Sequence, residues 1–187
     1  MKKKWTEGTI CGVLARKVFN NDLCVLPNTV WTGHETDLLV CTKDLYLVDV
    51  EVKISRADLK LDKDKDKWWK RSWGRYDPVT KTYVKPEPQP REYPVKIWKH
   101  YYALPESIWK DDLLEHVQPI SGVLLITDSG FVKCIKRAKP NRKADKIVTE
   151  HAIELARLAS FRMWEAYKDV QVLNEKLEST LTQLPNP

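Results

Sequence analysis

A chain of 187 residues with 42% hydrophobic content is long enough to bury a core as one globular domain. Its formal net charge of +6 and pI near 9.0 favour a polyanionic partner, a balance that basic proteins of many kinds share. Cys11, Cys24, Cys41 and Cys134 form no C-x-x-C pair, no apolar run is long enough for a membrane helix, and Lys2-Lys3-Lys4 lacks the unbroken apolar core of a signal peptide. A reduced, cytoplasmic setting away from membranes is therefore expected.

Ile10, Val13, Leu14 and Val18 recur at helical spacing between Thr6 and Phe19, with Thr6 available as N-cap. Asn20-Asn21-Asp22 ends that helix, and Leu23 to Leu26 reads as a short strand stopped by Pro27. Leu38 to Thr42 and Leu45 to Lys53 then form a β-hairpin across Lys43-Asp44. A two-residue turn would set Asp37 opposite Val50 and send Glu51 to the other face. A three-residue loop or one bulge places Asp37, Asp49, Glu51 and Lys53 on one face and Leu38, Val40, Val48, Val50 and Val52 on the other. The apolar alternation favours that second register.

Ser55-Arg56-Ala57-Asp58 fits a capping box, so a helix should start there and run into Asp62 to Trp73. Tyr76 to Pro94, with its prolines and no clear period, reads as a long loop. Tyr101 to Leu104, Gly122 to Thr127 and Phe131 to Ile135 are later strands. One or two closing helices are expected from Ala144 to about Leu181, and no internal repeat is visible.

The hairpin carries the chemistry. Two acids converging from neighbouring strands can hold a hard divalent ion such as Mg²⁺ while leaving room for water and phosphate. The ion polarises the phosphate and activates water, and a lysine two residues beyond Glu51 shares its face and can orient the attack or neutralise charge on phosphorus. The alternative is a solvated or salt-bridged strand face, since Asp and Glu-x-Lys recur by chance in a chain that is 31% charged. Against it, the acids sit within Val and Leu runs, where unpaired carboxylates are costly.

Asp37 and Glu51-Val52-Lys53 resemble the PD-(D/E)XK nuclease superfamily, with Thr36-Asp37 at its proline-aspartate position. More narrowly, GHETDLL, DVEVKISRADLKLDKDK, HYYALPESI and SGVLLIT resemble, in the same order, the MmcB-like DNA repair proteins and their phage relatives, from Glu7 to about Ala138. The resemblance implies an α/β, restriction-endonuclease-like fold: a mixed central β-sheet flanked by helices in one domain over residues 1–187. It implies a Mg²⁺ or Mn²⁺ requirement and a DNA substrate, in host cytoplasm if the chain is phage-encoded. Asp37 and Glu51 would bind the metal, Lys53 would assist the attack, and Glu7 would be an accessory acid, although helix-start glutamates commonly serve only the dipole.

Glu35 and Asp49 fall on the same face and either extend the metal site or pair with a nearby cation. His34 beside the hairpin either meets phosphate or is structural. Ser55 and Asp58 are helix-cap residues first. A basic, Trp- and Pro-rich insertion at about 68–98 follows, and Lys67, Trp68, Trp69, Lys70, Arg71, Trp73 and Arg75 suit a DNA-gripping arm, lysines on phosphate and aromatic faces on unpaired bases. The alternative for this stretch is a helix with tryptophans in the core and Asp62, Asp64 and Asp66 in local ion pairs. Lys133 to Lys146 makes a second basic stretch, a DNA track or a solvated loop. The leading expectation is a metal-dependent deoxyribonuclease. Its competitors are a non-catalytic DNA-binding or inhibitory module on the same fold, and a nuclease for RNA or branched junctions, acting as a homodimer through the C-terminal helices.

Overall fold

The structure, a computed structural model, describes residues 4–70 and 74–182. Its centre is a six-stranded mixed sheet of β1 (Cys24–Thr29), β2 (Thr36–Cys41), β3 (Leu47–Val52), β8 (Lys99–Pro105), β9 (Gly122–Ile126) and β10 (Val132–Lys136), in that spatial order. β3, β8 and β9 run parallel, and the other neighbours pair antiparallel. Helices flank this sheet, so the α/β, restriction-endonuclease-like arrangement of a mixed sheet between helices is what the chain adopts.

α1 (Glu7–Lys17) begins at Thr6, whose hydroxyl accepts the Thr9 N–H while the Thr9 hydroxyl accepts the Thr6 N–H. This reciprocal cap satisfies two donors that the first turn leaves without partners. Ile10, Val13 and Leu14 then face Val40, Val48, Val50 and Val52 in one apolar cluster, which covers one face of the sheet.

β1 does not stop at Pro27 but runs through it to Thr29. It is an edge strand, and an edge tolerates a residue that cannot donate to the ladder. The β2–β3 hairpin takes the second of the two registers: Leu38 pairs with Val50 and Leu39 with Asp49, which sets Asp37 across from Glu51. The cause is a three-residue loop, Lys43 to Leu45, closed by the Thr42 N–H on the Tyr46 carbonyl at 2.9 Å. Its last residue, Leu45, is left-handed at φ 67°. Such a loop adds the one residue that a two-residue turn lacks. Leu45 recovers part of the cost of that backbone by packing against the cluster around Leu39, Cys41 and Leu47.

The opposite face of the sheet is covered in two pieces. Toward β1, α3 (Thr149–Thr182) lays Leu155 over Leu26, Leu39 and Leu47. Toward β9, α2 (Arg56–Leu61) and the 106–116 turns lay Leu59 and Leu113 over Tyr102, Leu104 and Leu125. The polar residues of β3 lie in the seam between these two apolar clusters. The closing segment is one continuous helix of 34 residues.

α2 is capped by the Ser55 hydroxyl on the Asp58 N–H at 3.2 Å. Asp58 does not complete the expected box; its carboxylate lies 3.5 Å from Lys53 Nζ. Nor does the helix continue to Trp73. It ends after Leu61 and gives way to two 3-10 turns over Asp62–Asp64 and Asp66–Trp68. Asp62 explains the break, because its side chain turns inward to Lys53, Trp68 and Tyr102 instead of staying on a solvated helix face. The 76–94 region also holds more order than a loop. β4 (Trp69–Lys70) pairs with β7 (Gln89–Pro90), and β5 (Arg75–Asp77) with β6 (Thr82–Val84), in two small exposed ladders.

Candidate active site

Asp37 near the start of β2 and Glu51 near the end of β3 face each other across the hairpin. The Asp37 carboxylate accepts the Val52 N–H at 2.7 Å. Lys53 follows on the same face, so the three expected residues do meet. They meet inside a larger ionic cluster than the sequence suggested. Glu51 Oε1 accepts from Lys53 at 3.0 Å and also from Lys65, and Oε2 accepts from Lys67 at 2.7 Å. Lys53 is held in turn by Asp62 at 2.7 Å, and Lys67 by Asp49 at 3.5 Å.

Three carboxylates that are 0–1% exposed (Asp49, Glu51 and Asp62) are thus met by Lys53, Lys65 and Lys67. Burial alone would push Glu51 up; the ammonium groups of Lys67 and Lys53 outweigh it and hold Glu51 below the usual carboxylate range. The same opposition, with Lys67 as the main counter-charge, holds Asp49 and Asp62 down. Burial likewise disfavours a charged Lys53, and Glu51 and Asp62 overcome it and raise its pKa.

Asp37 is the carboxylate left over. Burial, then the charge of Glu51, pushes it up to about 7, with Glu7 adding to the repulsion and the Val52 N–H and Lys65 opposing it. A cation beside Asp37 would remove that repulsion. Among the described residues no cluster of three or more His, Cys, Asp or Glu side chains is placed to hold a metal ion. Mg²⁺ asks for less, one or two protein carboxylates with water and phosphate oxygens completing the shell. Asp37 and Glu51 fit that donor set, provided that the half-exposed Lys65 yields its place on Glu51.

A pocket of about 300 Å³ opens at this point, lined by His34, Glu35, Asp37, Lys65, Asp66 and Lys67. Neither Glu51, which is 1% exposed, nor Lys53 is among its walls. Lys53 lies deeper, wholly buried between Glu51 and Asp62, so Lys65 and Lys67 are the lysines that pair with Glu51 and also line the opening, and of the two only Lys65 is half-exposed. Behind the pocket His100 accepts from Lys67 Nζ through Nε2 at 3.0 Å and therefore donates from Nδ1 to Ser121 Oγ at 2.8 Å, because an ammonium can only donate. Burial and Lys67 push His100 down to about 3, so it is neutral. His34 Nε2 lies 3.8 Å from Asp49. Asp49 is thereby a buried partner of Lys67, and it is Glu35 and His34 that reach the pocket.

Glu7 sits on α1, whose apolar side packs on the opposite face of the sheet. Its charge is felt at Asp37, yet it does not line the pocket. The expected DNA-gripping arm is divided by the fold. Lys67 and Trp68 are buried, the first in the ionic cluster and the second in the apolar core, donating Nε1 to Asp62 at 3.0 Å. Neither is placed to grip a strand at the surface. Trp69 packs partly against the same core, Lys70 and Arg75 are exposed, and Arg71 and Trp73 lie outside the described residues. In the second basic stretch Lys133 pairs with Glu106 at 2.6 Å and Lys136 donates to the Gln118 carbonyl.

Asp62, Lys65, Lys67 and His100 are the members of the cluster that the sequence reading did not assign to it. One signal was available. The strict alternation from Asp62 to Lys67 puts Lys65 and Lys67 on one side of an extended backbone, directly before a tryptophan that must be buried somewhere. His100, a polar residue entering an apolar strand run, was a second.

No protein-family model and no curated protein matches this chain. Among solved structures it is similar to a protein of unknown function from Silicibacter pomeroyi, at 14% identity over 93% of this chain and 95% of that one, with a TM-score of 0.50. At that identity the likeness speaks for the arrangement of the chain alone. Among the described residues no helix is long and apolar enough to cross a membrane.

Proposed function

We propose that the chain is a metal-dependent nuclease that hydrolyses DNA phosphodiester bonds at the pocket that Asp37 lines, with Glu51 behind its wall. The observation that carries this reading is the uncompensated carboxylate: Asp37 faces Glu51 with three lysines already committed to three other acids, at the mouth of a pocket. Mg²⁺ or Mn²⁺ bound there would supply a Lewis acid for the phosphate and a more acidic water. Asp37 and Glu51 would hold the ion. The half-exposed Lys65 would be the lysine to meet a phosphate oxygen, and Lys53 fixes the Glu51 carboxylate from behind. The exposed Lys70 and Arg75, with the overall charge of +6, suit a polyanionic strand.

Purified protein is expected to cut at least one of single-stranded, duplex, flapped or branched DNA in Mn²⁺ or Mg²⁺, and to stop in EDTA. The non-catalytic DNA-binding alternative draws on one observation, the three lysines that saturate Glu51. The two readings part on Mn²⁺ binding measured by calorimetry. Uptake of one ion supports the nuclease; salt-sensitive DNA affinity with no ion uptake supports the binding module.

Lys65→Met separates the roles further. Removing the cation that competes for Glu51 should tighten Mn²⁺ binding, by up to roughly tenfold for an interaction of about 1.4 kcal/mol. Cleavage should nevertheless slow, because the phosphate loses its partner. Unchanged Mn²⁺ affinity would place Lys65 outside the site.

A further inference from the structure

The first turns of α3 are anchored to the body: Trp31 Nε1 donates to Glu154 at 3.3 Å, Leu155 is buried, and Arg162 donates to the Asn28 carbonyl at 2.9 Å. Beyond Arg162 every described side chain of the helix is exposed up to Thr180. The apolar pattern does not end with the contacts. Met163, Ala166, Val170, Leu173, Leu177 and Thr180 continue at alternating spacings of three and four, a heptad seam in which the large members are about half exposed or more (Met163 58%, Val170 51%, Leu173 63%, Leu177 59%). A helix that merely extended into solvent would carry charge on this side, as it does at Glu165, Lys168 and Glu175.

The charges beside the seam select its partner. In an antiparallel pairing of two copies centred between Val170 and Leu173, the seam stacks Val170 on Leu173, Ala166 on Leu177 and Met163 on Thr180 of the second copy, and reciprocally. That register brings Asp169 of each copy against Lys176 of the other, giving two opposite-charge pairs related by the twofold axis. A parallel pairing would instead set Arg162 against Tyr167 and Asp169 against Asn174, with no opposite charges facing each other. We propose that residues 163–180 of α3 form an antiparallel two-helix coiled coil with a second copy of this chain. The seam is about 27 Å long at 1.5 Å rise per residue, and it sets the two bodies at opposite ends.

The full chain should sediment, at tens of micromolar, with a mass about twice its 21.9 kDa, and dissociate on dilution. Val170→Glu and Leu173→Glu change only exposed residues, so the helix signal in circular dichroism should remain while the dimer is lost. Asp169→Lys should weaken self-association about tenfold or more, and the double exchange Asp169→Lys with Lys176→Asp should restore it. A chain that is monomeric at all concentrations, or a dimer unaffected by Val170→Glu, overturns the proposal. So does a dimer that loses nothing on Asp169→Lys, because the antiparallel register requires that pair. None of these readouts depends on DNA cleavage, and either idea can fail alone.

Discussion

Lys67→Met should lower folding stability by about 3–5 kcal/mol, the range for removing one partner of a buried ion pair and leaving the other charge uncompensated. Lys67 is buried against Glu51 at 2.7 Å and Asp49 at 3.5 Å, with His100 Nε2 at 3.0 Å. Methionine fills a similar volume, so the loss comes from charge and not from a cavity. Two carboxylates that are 0–1% exposed would then lose a main counter-charge at once.

The pH dependence gives that prediction a sign. In the wild type Asp49, Glu51 and Asp62 are held below the ordinary values of 3.8, 4.5 and 3.8. Their pairing therefore contributes stability that is present above about pH 4–5 and is lost as pH falls below it. Without Lys67 the burial effect on Asp49 is no longer outweighed by its largest counter-charge, and that carboxyl should rise above its unfolded value. The cost of the substitution, measured against the wild type, should then shrink as pH falls from 8 toward 5, since the gain from Asp37 in that range is common to both proteins. Urea unfolding at pH 8 and pH 5 measures both. A cost below about 1 kcal/mol at pH 8, or one independent of pH, would show the cluster to be hydrated and not sealed.

The hairpin register was legible because the valines of β3 must face α1, and a one-residue slip would have reversed every side chain. The same alternation that buried Val48, Val50 and Val52 on one side committed Asp49, Glu51 and Lys53 to the other. What was not legible is where the counter-charges come from. Lys65 and Lys67 lie in a run whose composition suits a solvated helix, and their inward turn depends on α2 stopping after Leu61. That stop is set by Asp62 accepting from Tyr102 at 2.6 Å and Trp68 at 3.0 Å, contacts separated by up to 40 residues in sequence. Local propensity carries no information about them. The insertion was hard to place for the converse reason: its short ladders are mostly exposed and leave little hydrophobic periodicity to read.

Asp37→Asn should separate stability from activity, and the two should move in opposite directions. The amide keeps the size of the side chain and can still accept the Val52 N–H through its oxygen, but it removes the charge that Glu51 and Glu7 repel. In the wild type the raised value means that this carboxyl destabilises the fold as pH climbs from about 4 to about 7, where it loses its proton. The variant should therefore be as stable as the wild type below about pH 4 and increasingly more stable from there to pH 8, with no metal present. Cleavage should fall by roughly 10²–10³-fold, the usual loss when one preorganised electrostatic contact to the transition state is removed. Mn²⁺ affinity of the wild type should weaken about tenfold per pH unit below 7, since a proton and the ion compete for one carboxylate, and this slope should vanish in the variant. A buried carboxylate that its neighbours repel is the group whose strain a bound cation would relieve. If Asp37→Asn instead destabilises the protein at pH 8 and leaves Mn²⁺ uptake intact, Asp37 is a structural cap on Val52 and the cation lies elsewhere.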